Sequence, residues 1–135
     1  MFLHRMGHLK NSSRQLSMQE LKAILQAICW IPQPGPQMVA YNSEAREVWY
    51  GGAAGGGKTS LALGLALTRH QKSIIFRRSY DQLKAIITEL ERLSGQQFNQ
   101  NQKKLNTRDG RLVELGSMQH EKDKEKYQGR PHDLI

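Results

Sequence analysis

Cysteine is almost absent: Cys29 is the only one in 135 residues. An intramolecular disulfide is therefore excluded, and a reducing compartment fits. Acidic residues are also scarce, 12 against 20 lysines and arginines, which gives a formal net charge of +8 and a sequence pI of about 9.9. That balance favours polyanions such as nucleic acid, nucleotides or an acidic membrane surface. No apolar run approaches the ~18 residues of a membrane-spanning helix. Residues 1–16 carry His4, Arg5, His8, Lys10 and Arg14 among few apolar residues, unlike a secretory signal. They are expected to form a flexible basic arm. His4 and His8 lack the carboxylate or cysteine support of a metal site. The length allows one small domain.

What is present centres on residues 47–69. Val48, Trp49 and Tyr50 are residue types that suit a buried strand. The glycine-rich run Gly51-Gly52-Ala53-Ala54-Gly55-Gly56-Gly57 propagates neither strand nor helix. Lys58, Thr59 and Ser60 follow, then a Leu/Ala-rich stretch of good helix formers. The spacing Gly52-x-x-x-x-Gly57-Lys58-Thr59 is that of a P-loop, a phosphate cradle between a strand and a helix. Glycines let backbone N–H groups approach an anion closely, and a helix N-terminus points its unsatisfied donors at the same place. Lys58 is expected to reach the β- and γ-phosphates of ATP, and Thr59 to ligate Mg²⁺.

The remaining chain reads as alternating elements. Residues 17–29 form a helix opened by a Ser17/Glu20 capping box, with Leu21, Ile24, Leu25 and Ile28 on one apolar face. Pro32, Pro34, Gly35 and Pro36 then break regular structure. Residues 37–45 suggest a short helix, and the Gln37 amide is a candidate for reading an adenine edge. Residues 73–76 form a buried strand with Arg77 and Arg78 at its carboxyl end, where open α/β sheets bind ligands. These arginines are expected to meet phosphates, to relay a signal from them, or to pair with Asp81 or Glu89. Residues 79–93 form a helix, with Ser79 and Gln82 as a capping box, Leu83, Ile86, Ile87 and Leu90 inward, and Gly95 as its stop. Asp109-Gly110 marks a hairpin between residues 105–108 and 111–115. Residues 121–126 form a mixed-charge helical patch, and residues 132–135 open another strand. A P-loop ATPase needs a further Asp, often followed by Glu, at the carboxyl end of an apolar strand. Asp133 lies at the start of its strand and is not assigned that role.

Several segments in order resemble the large subunit of tailed-bacteriophage terminase, the ATPase that drives viral DNA into the procapsid. The likeness covers about residues 30–135. Pro36-Gln37 stands where that family has its adenine-contacting glutamine. The stretch from Trp49 to Thr59 looks like its GGAAGGGK[ST] loop, and Phe76-Arg77-Arg78-Ser79-Tyr80-Asp81-Gln82-Leu83 its second strand and following turn. The stretch from Glu121 to Arg130 looks like the approach to its Walker B strand. The resemblance implies a P-loop NTPase fold, a three-layer α/β/α arrangement with a mainly parallel sheet, incomplete at the C-terminus of this chain. It implies ATP and Mg²⁺ as cofactors, with Gln37, Gly52, Ala53, Ala54, Gly55, Gly56, Gly57, Lys58, Thr59 and Ser60 on the nucleotide and Thr59 on the metal. Lys58 is a catalytic candidate; because the positions where some members carry an arginine inside the loop are Ala53 and Ala54 here, a catalytic arginine would be Arg77, Arg78 or one from a neighbouring subunit. Implied partners are double-stranded viral DNA, the small terminase subunit, the portal protein and further copies of the chain, in the host cytoplasm and without a membrane. Walker B, coupling motif and nuclease domain are not found in this sequence. Residues 17–135 are therefore expected to be part of an ATPase domain, inactive in hydrolysis alone and marginally stable unless associated or nucleotide-bound. The alternatives are a non-catalytic nucleotide-binding or interaction module, or another P-loop ATPase such as a helicase-like protein.

Overall fold

A computed structural model describes residues 15–21 and 29–135. The arm with His4 and His8, and the apolar positions Ile24, Leu25 and Ile28, lie outside the described residues. The first capping box is present: Glu20 N–H donates to Ser17 Oγ at 3.2 Å and Ser17 N–H to the Glu20 carboxylate at 2.9 Å. Helix α1 (Pro36–Tyr41) begins on a proline, whose fixed φ suits a first turn. It ends earlier than residue 45, because Ser43 Oγ accepts the Ala45 N–H and offers the backbone an alternative to the helix.

Helix α2 (Lys58–Thr68) buries Leu61, Leu63, Gly64, Ala66 and Leu67, so it is apolar on more than one side. Strand β1 (Lys72–Arg77) follows, then helix α3 (Asp81–Ser94), which buries Leu83, Ile86, Ile87 and Leu90 and stops at Gly95 with φ +65°. The expected Ser79/Gln82 capping box is absent. Tyr80 is the N-cap, its carbonyl already accepts the Leu83 N–H, and Asp81 pairs with Lys84 instead. Strands β2 (Lys104–Asn106) and β3 (Leu112–Ser117) form the expected hairpin. Its loop is longer than Asp109-Gly110 alone: Thr107 N–H bonds Arg111 O at 2.9 Å, and Arg111 Nε donates to Asp109 at 2.7 Å. The charged patch is a solvated 3₁₀ turn (Glu121–Tyr127). Asp123 caps it by accepting the N–H groups of Gln119 and His120. The Lys126 ammonium and then these amides hold its carboxyl down at about 2.

The sheet has the order β1-β3-β2, with β1 and β3 parallel and β2 antiparallel to β3. Leu134 adds a single parallel bridge to Ser73. Two expectations are corrected here. The sheet is mixed rather than mainly parallel, and residues 47–50 pair with no strand among the described residues. Val48 is 48% and Trp49 94% exposed. Strand-forming residue types need an edge to bond to, and the single bridge at Leu134 is the sheet's only continuation on that side among the described residues.

Among the described residues, the helices that pack on the sheet lie on one face. Leu63, Ala66 and Leu67 of α2, the buried face of α3, Ile75, Leu105, Val113 and Leu115 form one cluster on one face of the sheet. The other face carries Ile74, Phe76, Glu114 and Gly116 by strand alternation. Among the described residues it is covered by the Tyr127 ring, which meets Phe76 edge-on at 4.8 Å, and by His132, whose Nε2 lies 2.8 Å from Glu114. Asp133 sits at the amino end of β1, where its carboxylate accepts the Gln71 and Lys72 N–H groups at 2.8 Å each. Burial alone would raise its pKa, but these amides outweigh it and hold the carboxyl below its ordinary value.

One group in the sheet is poorly served. Ser73 is fully buried and its Oγ has no hydrogen-bond partner among the described residues. Leaving a buried hydroxyl unpaired costs about 1–3 kcal/mol. Ser73→Ala is expected to raise stability by roughly 1 kcal/mol, read as a higher urea midpoint at unchanged slope. A lower midpoint would mean that the hydroxyl is bonded after all.

Candidate functional site

The glycine-rich run forms a tight loop capped by Gly57, whose φ of +72° is left-handed and favours glycine. A Cβ there would also come within 2.6 Å of Gln37 Nε2. Gly57 supplies no side-chain cap, and no side chain among the described residues accepts from the first N–H groups of α2. They are the donors that an anion would meet, at the positive end of the helix. Lys58 bends back over the loop and donates to the carbonyls of Gly52 and Ala53 at 2.7 Å each. Gly56 N–H bonds Ala53 O at 3.2 Å, and Tyr50 Oη donates to Gly56 O at 3.2 Å.

Gln37 is 4% exposed and both ends of its amide are engaged. Its oxygen accepts the Gln33 N–H at 2.6 Å, and its nitrogen donates to Gly57 O at 3.1 Å. It therefore pins the end of the loop to the start of α1. Ser60 Oγ accepts the Trp30 indole N–H at 2.8 Å.

Arg77 reaches the loop. Its Nη2 donates to Thr59 Oγ1 at 3.1 Å, and its Nη1 to the Phe76 carbonyl at 3.0 Å. The carboxylates expected to compete for it are taken: Asp81 by Lys84 at 2.9 Å and Glu89 by Arg92 at 2.7 Å. Arg78 is exposed, and no polar contact brings it to the loop. The carboxyl end of β1 thus meets the amino end of α2 through one guanidinium.

The fit to ATP and Mg²⁺ divides. Gly52 to Ser60 offer uncapped backbone donors and one ammonium, which suit a phosphate chain. On the metal side Thr59 is the one oxygen of the loop with the expected chemistry, and its neighbour is a cation. No group of three His, Cys, Asp or Glu that could hold a metal occurs among the described residues.

Trp30 and Tyr41 were not foreseen. Trp30 packs on Gly64 of α2 and stands 5.5 Å from the Tyr41 ring, and Tyr41 Oη bonds Thr68. They strap the segment before α1 across the loop helix. Nothing local in the sequence signals this, because the contacts join residues about thirty positions apart.

No protein-family model, curated protein or solved structure matches the chain. No helix among the described residues is long and apolar enough to cross a membrane.

Proposed function

We propose that this chain binds ATP through residues 52–60, as the nucleotide-binding part of a DNA-packaging ATPase of the terminase large-subunit kind. One observation carries the reading. Lys58 stands over a glycine loop whose αL residue opens directly onto an uncapped helix, with Arg77 arriving from a strand end. Two cations and the amide donors of a helix N-terminus near one glycine loop are the groups that a phosphate chain would meet. Lys58 and the loop amides hold the phosphates, and Thr59 is the residue that would ligate Mg²⁺, which supplies charge neutralisation when bound. The net charge of +8 favours a polyanionic partner such as double-stranded DNA. The exposed Val48 and Trp49 favour association with further copies or with other packaging subunits. Gln37 acts in this reading by fixing Gly57, whether or not it also meets the base.

A second reading, a non-catalytic nucleotide-binding module, is favoured by the guanidinium beside Thr59. Both readings expect no steady phosphate release from this chain alone; phosphate release by a longer protein that includes a Walker B strand separates the two, since only the first requires it.

The test of nucleotide binding is Lys58→Ala. Charge-assisted hydrogen bonds are worth about 1.5–3 kcal/mol, so ATP affinity is expected to fall roughly ten- to hundredfold. The measurement is a titration of a fluorescent ATP analogue into both proteins. Equal affinities would remove Lys58 from the site.

A further inference from the structure

We infer that Arg77 and a divalent cation compete for the Thr59 hydroxyl, so that Arg77 sets how strongly nucleotide binding depends on the cation. The inference rests on the proposed ATP site and adds a regulatory feature to it. The Arg77 guanidinium is held by two hydrogen bonds, to Thr59 Oγ1 at 3.1 Å and to the Phe76 carbonyl at 3.0 Å. An arginine stays charged at all accessible pH values. Its nearest expected carboxylates, Asp81 and Glu89, are committed to Lys84 and Arg92, so its charge is not spent on them. Arg77 is only partly exposed, which limits screening by water.

Mg²⁺ binds oxygen lone pairs at about 2.0–2.1 Å in strict octahedral geometry. A metal on Thr59 Oγ1 would share that oxygen with a guanidinium nitrogen, and the two like charges would repel across a few ångströms. The cation must therefore displace Arg77. Phosphate oxygens make the opposite demand, since a guanidinium beside them is a favourable bidentate donor. Arg77 is thus a positioning residue with two faces: it supports nucleotide without metal and opposes metal on Thr59. Arg77 is the last residue of β1, and its carbonyl accepts the Met118 N–H at 2.9 Å just past the end of β3.

The experiment titrates ATP into the wild-type chain, Arg77→Gln and Arg77→Lys, each in EDTA and in excess Mg²⁺. The readout is the ratio of the metal-free to the metal-bound dissociation constant. Arg77→Gln removes the charge and is expected to raise this ratio roughly ten- to hundredfold, the value of one charge-assisted bond. Arg77→Lys keeps the charge and is expected to stay near the wild-type ratio. A purely structural role for Arg77 would change both constants by the same factor, and that result overturns the inference, as does an unchanged ratio. If Arg77→Gln does not fold, Thr59→Val removes the contested oxygen and must erase the metal dependence; retained dependence overturns the inference. Lys58→Ala separates the two levels. If it leaves affinity unchanged in both media, the nucleotide site itself is wrong. If it weakens binding while the Arg77 ratio stays flat, only the competition is wrong.

Discussion

Leu63→Ala is expected to lower the stability of this protein by about 3 kcal/mol, within the 2–5 kcal/mol range for emptying a fully buried leucine site. Leu63 is 0% exposed and sits in α2, between one and two turns beyond Lys58, within the core cluster shared with α3, β1, β2 and β3. Alanine is the better helix former, so the helix itself is not weakened and the loss reports the cavity alone. For a domain of this size the fall in Tm is expected to be about 10–20 °C. The same helix presents the loop, so nucleotide should offset the loss: ATP at about 100 times its dissociation constant adds about 2.7 kcal/mol. A thermal melt of wild type and variant, with and without ATP, checks both parts. A shift of under 2 °C would mean that Leu63 is not at the centre of the core. A full-size shift that nucleotide does not reverse would uncouple α2 from ligand binding.

Gly64→Ala should show the reverse of the usual helix result. In an ordinary exposed helix the exchange stabilises by about 1 kcal/mol, because alanine restricts the unfolded chain. Here a Cβ on Gly64 would lie 2.2 Å from Trp30 Cε3 and 2.3 Å from Trp30 Cδ2. The indole cannot retreat freely, since its N–H is bonded to Ser60 Oγ at 2.8 Å and its ring lies against Tyr41. Something must move, and overpacking of this kind costs about 1–3 kcal/mol. Net destabilisation of about 2 kcal/mol is expected, with loss of the native tryptophan fluorescence signal. The decisive measurement is a double-mutant cycle in guanidinium chloride. On a Trp30→Ala background the Gly64→Ala exchange should become neutral or stabilising. If it destabilises equally on both backgrounds, Trp30 is not the neighbour that excludes a side chain at residue 64.

Much of the local structure was legible in the residues, and each legible feature has a short physical range. The Ser17/Glu20 box closes over three residues. Gly95 ends α3 in the left-handed region, and Asp109-Gly110 turns the chain between β2 and β3. Residues 52–60 form a glycine loop running into a helix, because glycine tolerance and helix propensity act within a turn or two. Leu83, Ile86, Ile87 and Leu90 face inward, since a 3.6-residue period sets the face in advance.

What residue type cannot contain is the identity of a partner far along the chain. Val48, Trp49 and Tyr50 have strand-forming side chains, yet a strand exists only where another edge bonds to it, and none does among the described residues. That α2 and α3 share one face of the sheet is a property of packing and not of either helix. Gln37 reads as a candidate for an adenine edge until the fold brings Gly57 to it, and Arg77 as one of two equal arginines until Thr59 lies within 3.1 Å. The sequence by itself determined the loop, the caps, the turn and the periodic faces, because those depend on neighbours a few residues away. Only the tertiary structure decided which arginine meets the loop, which glycine lies under an indole, and which apolar segment stays outside the sheet. Those outcomes depend on long-range closure, whose entropy and packing terms are shared across the whole chain.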